Sequence, residues 1–184
     1  MTVLWIVLAV LVVLVVATVV IYNGLVGARN RVDEAWSGID VQLKRRHDLV
    51  PNLVASVKAY AAHEQETFAR VVAARQAAVD AEGPAEQGRA EAGLTSALVP
   101  IRALAEQYPD LRATENFQQL NAELTQLEDE IQASRRLYNG NVQRYTTKTQ
   151  VFPSNLVAAR GPFPPKELFA LDSPAERAVP QVSF

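Results

Sequence analysis

The chain contains no cysteine, a single methionine and only two histidines. Without cysteine it can form neither a disulfide nor a thiolate metal site, and it lacks the cysteine of a lipoprotein. His47 and His63 fit no familiar metal site, because no Glu lies three residues before either and no second His follows His63 by four. A glycine-rich phosphate loop and a serine nucleophile elbow are also missing. These absences predict no catalytic residues, no metal and no cofactor, and hence a protein that is not an enzyme.

A strong excess of either charge is missing as well. Lys and Arg number 18 and Asp and Glu number 20, so the formal net charge is −2. A chain without a basic excess gains little from the phosphates of nucleic acid. We therefore expect no nucleic acid partner, and the partners implied are the chain itself, another protein or the lipid bilayer.

What the sequence does contain is an uncharged run from Val3 to Tyr22, in which Thr18 is the only strongly polar side chain. About 20 residues at about 1.5 Å each match the roughly 30 Å hydrocarbon core of a bilayer. A signal peptide has a shorter apolar core and small residues at its cleavage site, whereas this run is longer and has no such small residues. Residues 1–22 are therefore predicted to be a retained transmembrane anchor.

Four residues are predicted to lie at the membrane interface. Trp5 and Tyr22 lie near the two ends of the run, where aromatic rings prefer the headgroup level. Arg29 and Arg31 are the first cations after it, and the positive-inside tendency then places the N-terminus outside and the body in the cytoplasm. A short hinge from Asn23 to Gly27 is expected between the anchor and the body.

Residues 23–152 carry the periodicity of long helices. The first apolar stripe runs from Val32 to Val71, and an unbroken helix to Ala81 would be about 75 Å long. At Pro51 we expect a kink rather than a break, with Asp48 capping a restarted turn.

Two further helices are predicted after the break at residues 82–84. One runs from about residue 85 to 107, and the other carries apolar residues from Phe117 to Tyr145. Gly140 in the last helix predicts close contact with another element. The fold class is therefore all-α: an N-terminal transmembrane helix, an antiparallel bundle of long helices in one compact body, and an irregular Pro-rich C-terminal tail.

The tail, residues 153–184, contains six prolines, and we expect disorder from Asp172 onward. Its large apolar side chains have no evident core of their own. They are predicted to cap the bundle, to touch the membrane or to bind a neighbour, and the candidates are Leu156, Phe163 and Phe169.

Other residues are candidates for an oligomer or partner interface. Trp36 is predicted to be either core or the centre of a subunit contact. The cations Lys44, Arg45 and Arg46 form either a solvated face or a contact with lipid headgroups or with acidic residues of a neighbouring subunit, such as those at 128–130. Polar residues beside the apolar stripes are predicted to fix helix register, and these are Asn52, Ser134, Asn139 and Asn141.

Several segments resemble the LemA family. The longest is WSGIDVQLKRRHDLVPNLV, residues 36–54, and shorter ones lie at 108–111, 135–139 and 152–155 within a resemblance that spans roughly residues 22 to 160. The resemblance implies a bacterial single-pass protein of the inner membrane, with a helical cytoplasmic bundle and no established enzymatic activity. Family members are associated with membrane stress, envelope maintenance and, in magnetic bacteria, internal membrane compartments.

Two functions agree with these patterns. The first is a scaffold that homo-oligomerises through its long helices and organises or shapes the membrane. The alternative is a membrane-bound adaptor for another membrane protein, such as a protease in envelope stress or quality control.

Overall fold

A computed structural model describes residues 1–170, and these contain helices and no β-strand. This confirms the all-α fold class, while the disorder expected from Asp172 onward lies outside the described residues. The six helices are α1 Thr2–Lys58, α2 Gln65–Asp80, α3 Gly83–Gln107, α4 Pro109–Arg112, α5 Glu115–Gln150 and α6 Ser154–Ala158.

The chain divides into two compact units rather than the single body expected from its composition. The first unit comprises residues 1–38 and 136–167, and the second comprises residues 39–135 and 168–170. Helices α1 and α5 each contribute residues to both units. Two long helices have enough length to carry two separate cores, which a pattern of apolar spacing does not reveal.

Helix α1 ends at Lys58 rather than continuing to Ala81, so the prediction of one longer helix was wrong. The backbone N–H groups of Tyr60 and Ala61 both donate to the carbonyl of Val57, which closes a tight turn before α2 begins. The apolar spacing continues through this turn because α2 buries its own stripe, including Val71, in the same core.

Pro51 lies inside α1 without ending it, which confirms that the helix does not break there. The kink expected at this position stays a prediction. A proline has no N–H for the carbonyl four residues earlier, which here belongs to His47. The guanidinium of Arg75 on α2 donates to that carbonyl through Nε at 2.7 Å. The prediction that Asp48 would supply the remedy was therefore wrong, and the compensating donor comes from another helix.

The core of the second unit joins α1, α2, α3, α4 and α5. Its buried members are almost all aliphatic or aromatic, and they are Val50, Leu53, Val57, Ala61, Phe68, Val71, Ala78, Leu94, Leu98, Ile101, Leu104, Ala105, Leu111, Phe117, Leu120 and Leu124. Gly88 on α3 is buried, and a Cβ atom there would collide with the backbone carbonyl of Ala170. Gly88 rather than Gly140 is thus the glycine of close approach, since a Cβ at Gly140 would meet open space.

Polar contacts join α1 and α5 within each unit. In the second unit Ser134 donates to the side-chain oxygen of Gln42 at 3.1 Å, and in the first unit Asn141 donates to the carbonyl of Arg31 at 3.1 Å. These contacts are what residues that fix register are expected to make. Asn52, in contrast, is exposed and is not a core residue.

Candidate functional site

The most unusual surface of the molecule is the N-terminal part of α1. From Val3 to Val20 every large apolar side chain is at least 50% exposed. The hydroxyl of Thr18, the one polar group here, donates to the carbonyl of Leu14 at 2.8 Å and so needs no water. Among the described residues α1 is the one helix that is long and apolar enough to cross a membrane. Trp5 is 67% exposed and Tyr22 is 41% exposed.

The C-terminal segment of the first unit is attached to the helices through its backbone carbonyls. The hydroxyl of Tyr138 donates to the carbonyl of Glu167 at 2.8 Å, and that of Tyr145 donates to the carbonyl of Pro164 at 2.8 Å. Arg29 donates to a third carbonyl at 3.2 Å, that of Pro162. A segment with little regular structure leaves some of its carbonyls without a backbone donor, and side chains of α1 and α5 satisfy these three.

Aromatic and ionic contacts complete this attachment. The ring of Phe163 is buried and lies edge-on to Tyr22, with 5.5 Å between the ring centroids. The guanidinium of Arg29 lies 6.0 Å from the same ring. Lys166 and Asp33 form an ion pair at 2.7 Å. Phe163 therefore belongs to the first unit's own core.

The two tyrosine hydroxyls are neutral donors in this unit. Burial, followed by the negative charges of Asp33 and Glu167, raises the pKa of Tyr138 from 10.0 to about 12. Burial also raises the pKa of Tyr145, with the positive charge of Arg29 opposing it. Both phenols keep their protons at neutral pH and so continue to donate to the carbonyls.

A groove of about 560 Å³ lies between α1 and α5 in the first unit. Three of its lining residues are cations, Arg31, Arg144 and Lys148, and no lining residue in this described part of the chain is acidic. Gly140 also lines the groove, and the absence of a side chain there leaves the space open.

In the second unit a polar cluster surrounds Glu91, whose side chain is 0% exposed. One carboxylate oxygen accepts from Arg46 at 3.1 Å, and the other lies 2.6 Å from Nε2 of His47. Gln87 donates to Glu91 at 3.3 Å and to the carbonyl of Ala78 at 2.8 Å. The second amino group of Arg46 donates to a threonine hydroxyl, that of Thr95, at 2.8 Å.

This cluster ties α1 to α3 and has the character of a structural ion-pair network. Both oxygens of Glu91 are occupied by side chains of its own unit, and a buried carboxylate with such partners is neither solvent-accessible nor free to bind a ligand. No group of three or more His, Asp or Glu side chains suited to a metal ion occurs among residues 1–170. Sequence reasoning missed Glu91, because nothing in its neighbourhood along the chain marks it as the partner of Arg46 and His47.

The structure separates the three cations predicted to face a partner. Arg46 is only 4% exposed, so its assignment to an interface was wrong. Lys44 is exposed and pairs with Asp40 one turn earlier at 2.7 Å. Arg45 is exposed and lies 3.8 Å from Glu130 of the same chain. That Lys44 and Arg45 contact a partner stays a prediction.

The remaining interface candidates also divide. Phe169 is 0% exposed and, like Phe163, is buried within the chain. The prediction that these two side chains are available to a neighbouring molecule was therefore wrong. Leu156 is 50% exposed and remains a candidate. Trp36 is half-buried, with its ring centroid 5.4 Å from that of Tyr138, and it contributes to the first unit.

An exposed apolar helix that continues into a folded all-helical body defines a membrane-associated helical protein. Residues 35–184 match the LemA family, and the chain belongs to that family. The match starts later and ends later than the resemblance read from the sequence, and it includes the Pro-rich segment.

Curated relatives agree with this assignment. The chain is 31% identical over 146 residues to Protein LemA of Metamycoplasma hominis, an alignment that covers 75% of this chain and 64% of the relative. It is 26% identical over 163 residues to Magnetosome protein MamQ 2 of Paramagnetospirillum magneticum and 24% identical over 163 residues to Magnetosome protein MamQ of Magnetospirillum gryphiswaldense. Each of these alignments covers 74% of this chain and 60% of the relative. The chain thus spans less than two thirds of the length of these relatives.

Proposed function

We propose that the protein is a membrane-anchored scaffold that homo-oligomerises and organises or shapes the bacterial inner membrane, with its body in the cytoplasm. The observation that carries the proposal is the continuity of α1, which is helical from Thr2 to Lys58. The short hinge expected from Asn23 to Gly27 is therefore replaced by helix. A continuous helix couples the arrangement of the folded bodies to that of the membrane-spanning segments, because the chain is helical from Tyr22 through Ala28 and no irregular linker separates them.

Apolar surface outside the membrane segment supports self-association. Val41, Val99 and Leu137 are each 59% or 60% exposed although they lie on helices of the folded body. Relatives that are named magnetosome proteins support a membrane-associated role.

The oligomer is tested by measuring the mass of the full-length protein in lipid nanodiscs. We expect the protein mass in a disc to correspond to two or more copies of the 20.2 kDa chain, even when discs are in large excess over protein. A strict monomer under these conditions would contradict the scaffold.

Membrane insertion is tested separately with Val10→Lys/Val13→Lys. Each lysine near the centre of the segment costs about 2.5 to 3.5 kcal/mol of insertion free energy, so the variant should be released from membranes by alkaline carbonate. Val41→Lys, on an exposed site of the same helix, is the matched control and should stay in the membrane. Equal retention of both variants would show that the apolar segment does not anchor the protein.

A specific groove favours the adaptor as a second candidate. It occupies about 550 Å³ in the second unit and is lined by Val54, Phe68 and Val72 together with alanines and polar rims. An apolar groove of this kind accepts an amphipathic helix of another protein. Val72→Asp should then abolish recovery of one dominant membrane protein in a pull-down from native membranes and leave the nanodisc mass unchanged. A reduced nanodisc mass would instead assign the groove to self-association.

A further inference from the structure

The groove between α1 and α5 in the first unit has the chemistry of an anion site. Its three cations come from two helices, with Arg31 on α1 and Arg144 and Lys148 on α5. Arg31 and Arg144 are exposed, and neither has an ion-pair partner among the described residues. The side-chain amide of Asn141 and the hydroxyl of Thr147 add polar groups to the lining. Like charges gathered without a carboxylate repel one another, and a bound anion removes that repulsion.

Measured from the proposed membrane-spanning segment, the cationic groups lie at the depth of lipid headgroups. The amino group of Lys148 donates to the carbonyl of Gly24 at 3.3 Å, only two residues beyond Tyr22. The guanidinium of Arg31 points back along the helix, so that a Cβ at Gly27 would lie 3.8 Å from it. At about 1.5 Å per residue these groups lie roughly 3 to 8 Å beyond the apolar segment, and headgroups occupy about 5 to 8 Å on each side of the hydrocarbon core.

The turn after α5 gives an independent indication of depth. The contacts of Lys148 with Gly24 and of Asn141 with Arg31 fix an antiparallel register of α5 and α1. In this register the numbers of two residues that lie at the same level on the two helices sum to about 172. Extrapolated two residues beyond the end of α5 at Gln150, this register brings the turn at Phe152 near the level of Val20, inside the apolar segment. Phe152 is 79% exposed and its neighbour Val151 is 48% exposed, as expected for side chains that contact acyl chains rather than water.

We propose that this groove binds the phosphate of an anionic phospholipid headgroup, with Arg31, Arg144 and Lys148 as the ligating cations. The guanidinium groups supply paired N–H donors that match phosphate oxygens, and Lys148 has two further N–H donors beyond the one given to Gly24. The acyl chains of the lipid lie beside the exposed apolar helix. The proposal rests on the membrane anchoring proposed above, because the depth of the groove is measured from the apolar segment.

The site is tested by native mass spectrometry of the full-length protein in detergent, with phosphatidylglycerol as the probe. Arg144→Gln/Lys148→Gln should weaken binding of the first lipid about 25-fold, since each cation near a membrane surface contributes about fivefold in affinity. Gly140→Leu keeps every charge but fills the groove, and it should weaken the same binding event. Arg112→Gln/Arg136→Gln removes the same charge from exposed positions outside the groove and should bind like the wild type.

Soluble phosphates identify the source of the anion. Inorganic phosphate and glycerol 3-phosphate at the concentration of the lipid should leave phosphatidylglycerol bound, and phosphatidylcholine should bind less tightly than phosphatidylglycerol. Displacement by either soluble phosphate would reassign the groove to a free anion and overturn the lipid site. Unchanged lipid binding by the groove variants would overturn it as well.

Carbonate extraction of the same variants separates this proposal from the scaffold. All groove variants should remain in the membrane fraction, because the apolar segment is intact. A wild-type protein that carbonate releases would refute the anchoring, whereas anchored variants that bind lipid normally would refute the groove alone.

Discussion

The most buried polar side chains of the two units are satisfied in different ways. In the second unit, side chains pair with one another inside the core, with Glu91 between Arg46 and His47. In the first unit, side chains of regular helices donate to the backbone of an irregular segment, as Tyr138 does to the carbonyl of Glu167. Loss of Glu91 therefore leaves a buried charge without its counter-charge in the second unit. Loss of a tyrosine hydroxyl in the first unit instead detaches part of the irregular C-terminal segment from the helices.

The two units also differ in net charge. The first unit contains seven Lys and Arg residues and three Asp and Glu residues, whereas residues 39–135 of the second contain ten and fifteen. An overall charge of −2 hides this separation. The unit that includes the apolar segment is cationic, which is the sign that favours anionic lipids.

The largest effect should come from Glu91→Ala. It leaves Arg46 buried without its counter-charge, and such a change typically costs about 3 to 5 kcal/mol in the free energy of unfolding. Hydrogen exchange should show faster opening of residues 39–135 and little change around Tyr145. Glu86→Ala, an exposed position on the same helix, is the control. Equal opening of both units would mean that they unfold together, and it would contradict the inference that the Glu91 cluster stabilises the second unit alone.

Gly88→Val should have the next largest effect. Its side chain would meet the carbonyl of Ala170 and force the C-terminal segment away from α3, at a cost of about 1 to 3 kcal/mol in unfolding free energy. Limited proteolysis should then cut after residue 167 sooner than in the wild type. Gly93→Ala, where nothing lies within 4 Å, should stabilise the helix by up to about 1 kcal/mol. Destabilisation by both changes would point to helix geometry rather than to this contact.

The bond between Arg75 and the carbonyl of His47 is tested by a double-mutant cycle with Pro51. Arg75→Leu should cost about 1.5 kcal/mol in unfolding free energy, because it leaves that carbonyl without a donor. In a Pro51→Ala background residue 51 regains its N–H, so the same change should cost clearly less. Additive effects of the two substitutions in urea unfolding would show that Arg75 does not compensate for the proline.

The smallest effect, and the most specific to the first unit, is expected from Tyr138→Phe. The lost hydrogen bond to Glu167 should cost about 1 kcal/mol in unfolding free energy and speed exchange in residues 160–167. Because the pKa of Tyr138 is raised to about 12, the neutral phenol stabilises the folded state below pH 10, and this contribution is lost as the pH rises towards 12. Phenolate absorbance should show one phenol near pH 12 that the variant lacks. A variant with the same titration curve as the wild type would refute the assignment.

Much of the fold follows from local patterns along the chain. The stop at residues 82–84 and the break before Pro109 predict a helix whose ends agree closely with α3. The apolar spacing predicts the helix α5 as well, but it follows that helix only to Tyr145, whereas α5 ends at Gln150. The turn at residues 59–64 escaped prediction, because apolar spacing continues across it into α2. Periodicity reports which face is buried and gives no information on where the axis changes direction.

The candidate sites were harder to predict, because they join residues far apart in the chain. Arg46 and Lys44 belong to one run of sequence, yet one is buried beside Glu91 and the other is exposed. The cationic groove combines Arg31 with Arg144, which are more than a hundred residues apart. Only the antiparallel register of α1 and α5 brings these two together.

By itself the sequence determined the apolar segment, the all-helical composition and the family, since each depends on residue type and spacing along the chain. The tertiary structure decided the division into two units, the partners of the buried charges and the donor that compensates for Pro51. Burial and pairing depend on which helix faces come together, and that choice is settled by the whole core at once rather than by any local run.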